Sequence, residues 1–381
     1  MIIRIIRSRR KRLVLLIMVL VLCIGCARQM IIDKLSIVIA LGYDQSQQEQ
    51  ERIRTTIIAY HATDNQAKNT LLTSASNNTS KGVRTKLNLK MPTQDVIGQV
   101  RVIAYGEPIA RKGIITLTDT LQRDSDIGTN VYLAIAGGSA EQIMSATNKQ
   151  QINMGEYLYE LIRKNVNYGI IPSSNLHHFL STYYRGGKDP VLPYLELQQN
   201  EVVISGVALM KDDRMVGRLN EDDCLLLKSA MGNYKFDSFE LALSLKESNH
   251  HYLPRISPLF ITLTNIKIKS NIKLAQEEGP VFDVRIRVKG QLKEVSEQID
   301  LEKRETIHAL EHAASRQIAA QYEVLFKRLQ QMQVDPIGYG AVYRTSVRTK
   351  QFATEQWRDM YKHARIRTDI KVVFTNVGIT S

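Results

Sequence analysis

Phe282-Asp-Val-Arg-Ile-Arg-Val-Lys289 alternates strictly: Phe282, Val284, Ile286 and Val288 fall on one side, and Asp283, Arg285, Arg287 and Lys289 on the other. Side chains along a strand point to opposite faces with a period of two, so this stretch predicts a strand with one buried and one solvated face. Upstream, Ile266, Ile268, Ile272 and Leu274 mark a preceding strand, joined through the turn Gln276-Glu-Glu-Gly-Pro280. Downstream the period changes. From about Leu301 to Val334 the apolar residues Ile307, Leu310, Ala314, Ile318, Tyr322, Leu325, Leu329 and Met332 recur at steps of three and four, which predicts one long helix stopped by Pro336. Thr368 to Val377 supplies a last strand, with Ile370, Val372 and Phe374 on one face. Antiparallel strands backed by a long helix predict an α+β unit over 259–381.

Toward the N-terminus the same reading continues. Val202–Met210 and Met215–Leu219 are strands around the polar turn Lys211-Asp-Asp-Arg214. A short helix follows, with Asn220 as N-cap and Glu221, Asp222 and Asp223 in its first turn, where acids complement the helix dipole. Consecutive residues fan out around a helix, so these acids do not converge on one ion. Arg185-Gly-Gly-Lys-Asp-Pro-Val-Leu-Pro193 interrupts the regular pattern and reads as a boundary. Before it, Asp33–Asp44 and Arg52–Tyr60 form a hairpin, and residues 62–82, rich in Ala, Thr, Ser and Asn, read as a surface loop. Val100–Tyr105 is a strand, Ala110–Gln122 a helix, and Asn130–Ala136 a further strand. Gly137-Gly138 turns into a helix where Ser139 and Gln142 fit a capping box. Helices near Met154–Tyr168 and Ser173–Tyr184 complete the segment. The whole is an α+β chain with mixed or antiparallel sheets and packed helices, in three domains over 26–200, 201–258 and 259–381.

Residues 1–25 are different in kind. Arg4, Arg7, Arg9, Arg10, Lys11 and Arg12 precede an apolar run of about 13 residues, Leu13 to Gly25. A membrane-spanning helix needs roughly 18 or more, so the run reads as the short core of an export signal. Small Gly25 before Cys26 makes it a bacterial lipoprotein signal, with Cys26 as the first mature residue and the site of lipidation. The position three before the cysteine, usually Leu, is Cys23, itself a poor lipid site because bulky Leu22 precedes it. Cys23 leaves with the leader and Cys26 takes lipid, so Cys224 stands alone and reads as a packed small hydrophobe. The formal charge is +13, about +7 once the leader is set aside, and it lies in mixed-sign sequence without a nucleic-acid-binding signature. A charged face toward anionic lipid or a partner is the better reading; nucleic acid is not.

The sequence offers no catalytic residue, cofactor motif or metal set. It has no Gly-x-Ser-x-Gly elbow, His-Glu-x-x-His helix or Cys-x-x-Cys pair. The imidazoles of the adjacent pairs His177-His178 and His250-His251 diverge. His308 and His312 share a helical face with Glu305 and Glu311 nearby, but such a face beside an apolar stripe is ordinarily solvated.

Several segments, in order, carry a resemblance. They are Cys26 with Asp33-Lys-Leu-Ser-Ile-Val-Ile-Ala-Leu-Gly-Tyr-Asp44, Val102-Ile-Ala-Tyr-Gly-Glu-Pro-Ile-Ala-Arg111, and Asn130-Val-Tyr-Leu133 with Gly138-Ser-Ala140. Gly206-Val-Ala-Leu-Met-Lys-Asp-Asp-Arg-Met-Val-Gly217 and Asp335-Pro-Ile-Gly-Tyr-Gly340 follow, with Trp357 and Gly378 beyond. Over nearly the whole mature length the chain resembles the Ger(x)C family of spore germination lipoproteins, the C subunits of nutrient germinant receptors. It departs at Cys23, in the polar stretch 62–82, and at Gln99, where the family often has His. The resemblance implies three α+β domains, no enzymatic activity, and assembly with an A and a B membrane subunit in the spore inner membrane. It also implies that exposed faces serve as protein–protein surfaces, and that Asp33 and Lys34 help seat the first domain above the bilayer. Two other classes compete: a lipid-anchored solute-binding protein of a transporter, which would show two similar lobes, and an envelope enzyme acting on peptidoglycan.

Overall fold

Residues 35–61, 70–149, 151–244, 258–347 and 353–377 are described by a computed structural model of the chain. Strand β1 (Leu35–Gln45) turns back into β2 (Ile53–His61), as the hairpin expectation requires, and β2 pairs onward with β3 (Thr70–Asn77). Helix α1 (Ser80–Lys90) and the short β4 (Gln94–Val96) return the chain to β1. Strand β5 (Val102–Gly106) is followed by α2 (Glu107–Lys112) and α3 (Ile115–Gln122), then β6 (Tyr132–Ala136), α4 (Ala140–Ser145), α5 (Met154–Asn167) and α6 (Leu176–Arg185). Strands β7 (Val191–Gln198), β8 (Glu201–Lys211) and β9 (Arg214–Leu219) complete the first sheet. Its order is β3-β2-β1-β5-β6-β7-β8-β9, with β4 beside β1. The centre from β1 to β7 is parallel and both wings are antiparallel, and hydrogen bonding continues without a break across position 200. Parallel strands need helical crossovers on their faces, which is why the middle of this sheet reads as nearly continuous apolar sequence.

Helix α7 (Glu221–Met231) then leads to the second sheet: β10 (Tyr234–Leu243), β11 (Leu259–Gln276) and β12 (Val281–Val295). Helices α8 (Arg304–Met332), α9 (Tyr339–Val347) and α10 (Thr354–His363) precede β13 (Arg365–Val377). The order is β10-β11-β12-β13. The period-two alternation is realised: Phe282, Val284, Ile286 and Val288 are buried in one core with α8, whose inner stripe runs through Leu310, Ala314, Ile318, Tyr322, Leu325 and Leu329. The fold class is α+β, with two mixed sheets.

Four local readings change. Within 62–82, residues 62–69 lie outside the described segments, but Thr70–Asn77 is an edge strand and Thr79 caps a helix by accepting from the Gly82 amide at 3.1 Å. Small polar residues suffice there because an edge strand has one partner and only Ala75 of its length reaches the core fully, with Ser76 beside it. The helix expected over Ala110–Gln122 is two helices. Gly113, at φ +121°, breaks it, and the Asp213 carboxylate accepts from the Ile115 amide at 3.0 Å to start the second. Third, β13 runs parallel to β12, because α8, α9 and α10 form a crossover rather than a hairpin return. Fourth, the helix after Gly138 is capped from a distance, as described below.

One core passes along each face of the first sheet. The larger one continues from Val207, Leu209 and Leu219 through Cys224 and Leu227 to Phe282, Leu325 and Tyr339, so both sheets share it. The crossing between β8 and β9 is tight. Gly206 has φ +126°, and a Cβ there would stand 1.9 Å from the Leu219 carbonyl oxygen. Gly206→Ala is therefore expected to destabilise the chain by at least about 2 kcal/mol, through backbone displacement rather than lost contacts. Urea denaturation checks this, and a midpoint equal to that of the unsubstituted chain would contradict it.

Candidate functional site

The most densely constructed polar site is a closed junction between the two sheets. It forms where two Asp-Pro dipeptides meet, Asp189-Pro190 before β7 and Asp335-Pro336 after α8. A residue before proline is held extended, so each aspartate presents its backbone outward in a fixed direction. The Asp189 amide donates to the Asp335 carbonyl at 2.9 Å, and the Asp335 amide donates to Asp189 Oδ2 at 2.7 Å. Asp335 then gathers the turn after it. Its Oδ1 accepts from the amides of Gly338 and Tyr339 at 2.8 and 3.0 Å, and its Oδ2 from the Gly340 amide at 2.7 Å and Trp357 Nε1 at 3.2 Å. Gly340 permits the indole to come this close, since a Cβ there would lie 2.6 Å from Trp357 Nε1.

Arg358 closes the other side, with Nη2 donating to Asp189 Oδ1 at 3.2 Å and to Asp212 Oδ1 at 2.7 Å. Asp189, Asp335 and Arg358 are all buried, and Phe282, Phe326, Tyr339, Trp357 and Tyr361 pack their rings around the site. Burial pushes the Asp335 carboxyl up to about 6 despite its four N–H donors, and raises Asp189 as well. Two carboxylates with raised pKa values could suggest acid–base chemistry. Their oxygens are already engaged by donors and face no open cleft, so they act as a structural lock.

A second carboxylate works the same way. Asp44 ends β1 and reaches the N-terminus of α4, accepting from the amides of Ala140 and Glu141 at 2.8 and 2.9 Å and from the Ser139 hydroxyl at 3.0 Å. Ser139 does accept from the Glu141 amide at 3.1 Å, but the partner expected at Gln142 is replaced by Asp44, brought from 95 residues away by the parallel sheet. An open cleft of about 500 Å³ lies here, at the carboxyl ends of the parallel strands, lined by Asp44, Gln45, Arg54, Ser139 and Glu141 among others. This end of a parallel sheet is where ligands commonly bind. In this protein the anion position at the helix start is held by its own carboxylate, and Arg54 is paired with Glu141 at 2.7 Å.

The other sequence candidates are dispersed. Cys26, Asp33, Lys34, His250 and His251 lie outside the described residues. Cys224 is fully buried, and burial pushes its thiol up to about 12, an inert packed side chain. Asp223 pairs with Arg328 at 3.0 Å, and its amide donates to the Asn220 cap at 2.9 Å. His308 is exposed and pairs with Glu311 at 3.2 Å, while the other Glu311 oxygen accepts from the Phe374 amide at 2.7 Å. That carboxylate caps the edge strand β13, together with Ser315, which accepts from the Val372 amide at 2.9 Å. His178 lies exposed at the surface, and local desolvation, with Lys188 nearby, lowers its pKa from the ordinary value. Among the described residues, no group of three or more His, Cys, Asp or Glu side chains is arranged to hold a metal ion. No described helix is long and apolar enough to cross a membrane. Sequence reading missed Asp189, Asp212 and Arg358; the repeated Asp-Pro dipeptide was the available signal.

Two family models divide the chain between them. The spore germination protein N-terminal domain matches residues 28–197, and the spore germination B3/GerAC-like C-terminal domain matches residues 205–378. The chain belongs to the Ger(x)C family of spore germination proteins. Spore germination protein GerQC of Bacillus cereus is 28% identical over 371 residues, covering 97% of this chain and 99% of that one. The putative spore germination protein YfkR of Bacillus subtilis (strain 168) is 20% identical over 388 residues, covering 96% of each. In fold, the chain is similar to the crystal structure of the GerBC protein, with a TM-score of 0.56 at 15% identity over 88% of this chain and 97% of that one. This is not a known enzyme family. The Asp335-Pro-Ile-Gly-Tyr-Gly340 segment that carried part of the resemblance is the turn gathered by the Asp335 carboxylate.

The junction also gives a pH test with a defined sign. The ordinary carboxyl titrates near 3.8, and in the native chain Asp335 is pushed up to about 6. Between these values the folded state holds a proton that the unfolded state has released, so this group's contribution to stability falls as pH rises through the window, by at most about 3 kcal/mol. Asp335→Asn cannot titrate there. Its amide also faces N–H donors, at a cost of about 1–3 kcal/mol. The stability advantage of the native chain over Asp335→Asn is expected to shrink from pH 4 to pH 6 and to level off above, measured by chemical denaturation at each pH. A gap that widens over this range would show that the native carboxyl is not raised.

Proposed function

We propose that this chain is the lipid-anchored C subunit of a nutrient germinant receptor, held by diacylated Cys26 on the outer face of the spore inner membrane and assembled there with A and B membrane subunits. The observation that carries the reading is the full-length likeness to germination proteins in a chain whose described part has no catalytic constellation and whose leader ends at Gly25-Cys26. The subunit's contribution is docking: it presents a preassembled pair of sheets to its partners. The division into segments 26–200, 201–258 and 259–381 is retained as a proposal about folding units, with the first sheet bridging the first two. A hinged solute-binding protein is less well supported, because two unlike sheets share one continuous core.

Cys26→Ala removes the acyl acceptor. Two acyl chains give stable membrane attachment where one gives only marginal binding. The variant is expected to lose lipid labelling, to move from the membrane to the soluble fraction unless a partner retains it, and to reduce nutrient-triggered germination. Cys23→Ala is expected to keep all three properties. Undiminished lipid labelling of Cys26→Ala would reject the anchor, and unimpaired germination after deletion of the gene, with redundant receptors also removed, would reject the receptor role.

A further inference from the structure

The outer face of the second sheet carries a cationic lattice that the germination reading does not use. Along β11 the exposed positions include Lys267, Lys269, Asn271 and Lys273; along β12 they include Arg285 and Lys289; and β13 adds Lys371. Strand register sets these charges side by side. Lys235 on β10 stands opposite Lys267, Lys267 opposite Lys289, Lys269 opposite Arg287, and Arg287 opposite Lys371. Neighbouring strands are about 4.8 Å apart, and like charges directly opposite one another destabilise a sheet. Two carboxylates within this lattice are engaged, Asp369 with Arg287 at 2.6 Å and Asp283 with Arg367 at 2.7 Å, and exposed Glu240 and Glu294 flank Thr262 toward one end of the face. Among the described residues, no ion pair closes on Lys235, Lys267, Lys269, Arg285, Lys289 or Lys371. Lys235, Lys267 and Lys289 thus stand as one like-charged row across three strands, while Arg287 is offset by Asp369, which also lies opposite Arg285.

We propose that this face is a docking surface for an anionic phospholipid bilayer. Charge complementarity identifies the occupant, and the type of cation selects lipid over protein. Protein interfaces deplete lysine from their buried cores and rely on aromatic and arginine anchors seated in pockets. A bilayer surface needs no such fit: each lysine or arginine near it adds a favourable term of about the same size, through a diffuse field. A sheet face with lysines spread over four strands meets that requirement. The proposal does not depend on acylation of Cys26. For a chain already tethered nearby, the face would set orientation, laying the second sheet against the headgroups and leaving the α8 side toward the aqueous phase.

The test uses the chain from Ala27 onward, which retains every described residue and lacks both leader and lipid. It is co-sedimented with vesicles of phosphatidylcholine alone, and with vesicles containing about one-third phosphatidylglycerol, at about 0.1 M and about 1 M salt, where the screening length falls from ~10 to ~3 Å. Binding is expected to the anionic vesicles only, and to disappear at the higher salt. The combined variant Lys267→Gln, Lys269→Gln, Lys289→Gln and Lys371→Gln is expected to lose affinity for them by about 100-fold or more. Because it relieves like-charge pairs, its melting temperature is expected to equal or exceed that of the parent, which separates lost binding from lost folding. Lys81→Gln, Lys86→Gln, Lys90→Gln and Lys164→Gln together, on exposed helices elsewhere, control for net charge and should retain most of the binding. Absence of binding to anionic vesicles at low salt overturns the proposal. So does undiminished binding by the sheet variant, or equal loss in the control. Loss of capture of the membrane subunits by the sheet variant, without vesicle binding by the parent, would reassign the face to an acidic protein segment.

Discussion

The exchange between Asp189 and Asp335 ties the entry to β7 to the turn after α8, and so joins the two halves of the chain. Each aspartate satisfies the other's backbone, and both precede a proline, so neither segment can slip without breaking hydrogen bonds in a buried site. Breaking these buried hydrogen bonds leaves unsatisfied polar groups at about 1–3 kcal/mol each, whereas forming one gains about 0.5–1.5 kcal/mol. The pair is therefore a device for fixing geometry. It sets where β7 enters the first sheet and where the chain leaves α8, and so fixes the relation of the two sheets through one shared core.

The same economy of charge recurs at Asp44 and Glu311. Asp44 caps α4, and Glu311 caps the edge of β13. In each case a carboxylate is consumed in satisfying backbone amides that would otherwise be orphaned at a helix start or a strand edge. Asp44 also fills the place at the carboxyl end of the parallel strands where a ligand anion would sit in many α/β proteins. Acids used in this way serve the backbone rather than an open site.

How much of this was legible in the sequence depends on how local the cause was. The alternation of Phe282–Lys289 and the stripe of α8 are set by periodicity within one element, and both appear where the sequence puts them. The Asn220 cap and the burial of Cys224 were equally local. The failures have nonlocal causes. Thr70–Asn77 is a strand because β2 offers an edge, not because Thr, Ser and Ala demand one. The break at Gly113 depends on Asp213, 98 residues away from the Ile115 amide that it caps. Arg185–Pro193, a boundary by its Gly and Pro content, also holds half of the central lock, which is a separate, nonlocal role. Glycines permit the close backbone approach, as at Gly187, where a Cβ would lie 2.9 Å from the Ala341 amide nitrogen. Turn composition signals an irregular backbone, and an irregular backbone serves an intersheet contact as readily as a linker.

The two sheets also divide the surface between them. The central strands β1, β5 and β6 of the first are buried along nearly their whole length, with helices on both faces, so its contacts with other molecules fall to its edges and loops. The second sheet has a single covered face. Its inner side is apolar under α8, and its outer side is free to carry whatever residues function requires, because period-two alternation separates the two faces chemically. Burial constrains Val281, Phe282, Val284, Ile286, Val288 and Leu292 on β12, while Arg285 and Lys289 stay exposed. Natural sheets commonly intersperse opposite charges on such a face, since cross-strand attraction adds stability. The row Lys235, Lys267 and Lys289 forgoes that gain, whereas Arg287 obtains it from Asp369. Under the docking proposal, an anionic surface outside the chain offsets the repulsion within that row.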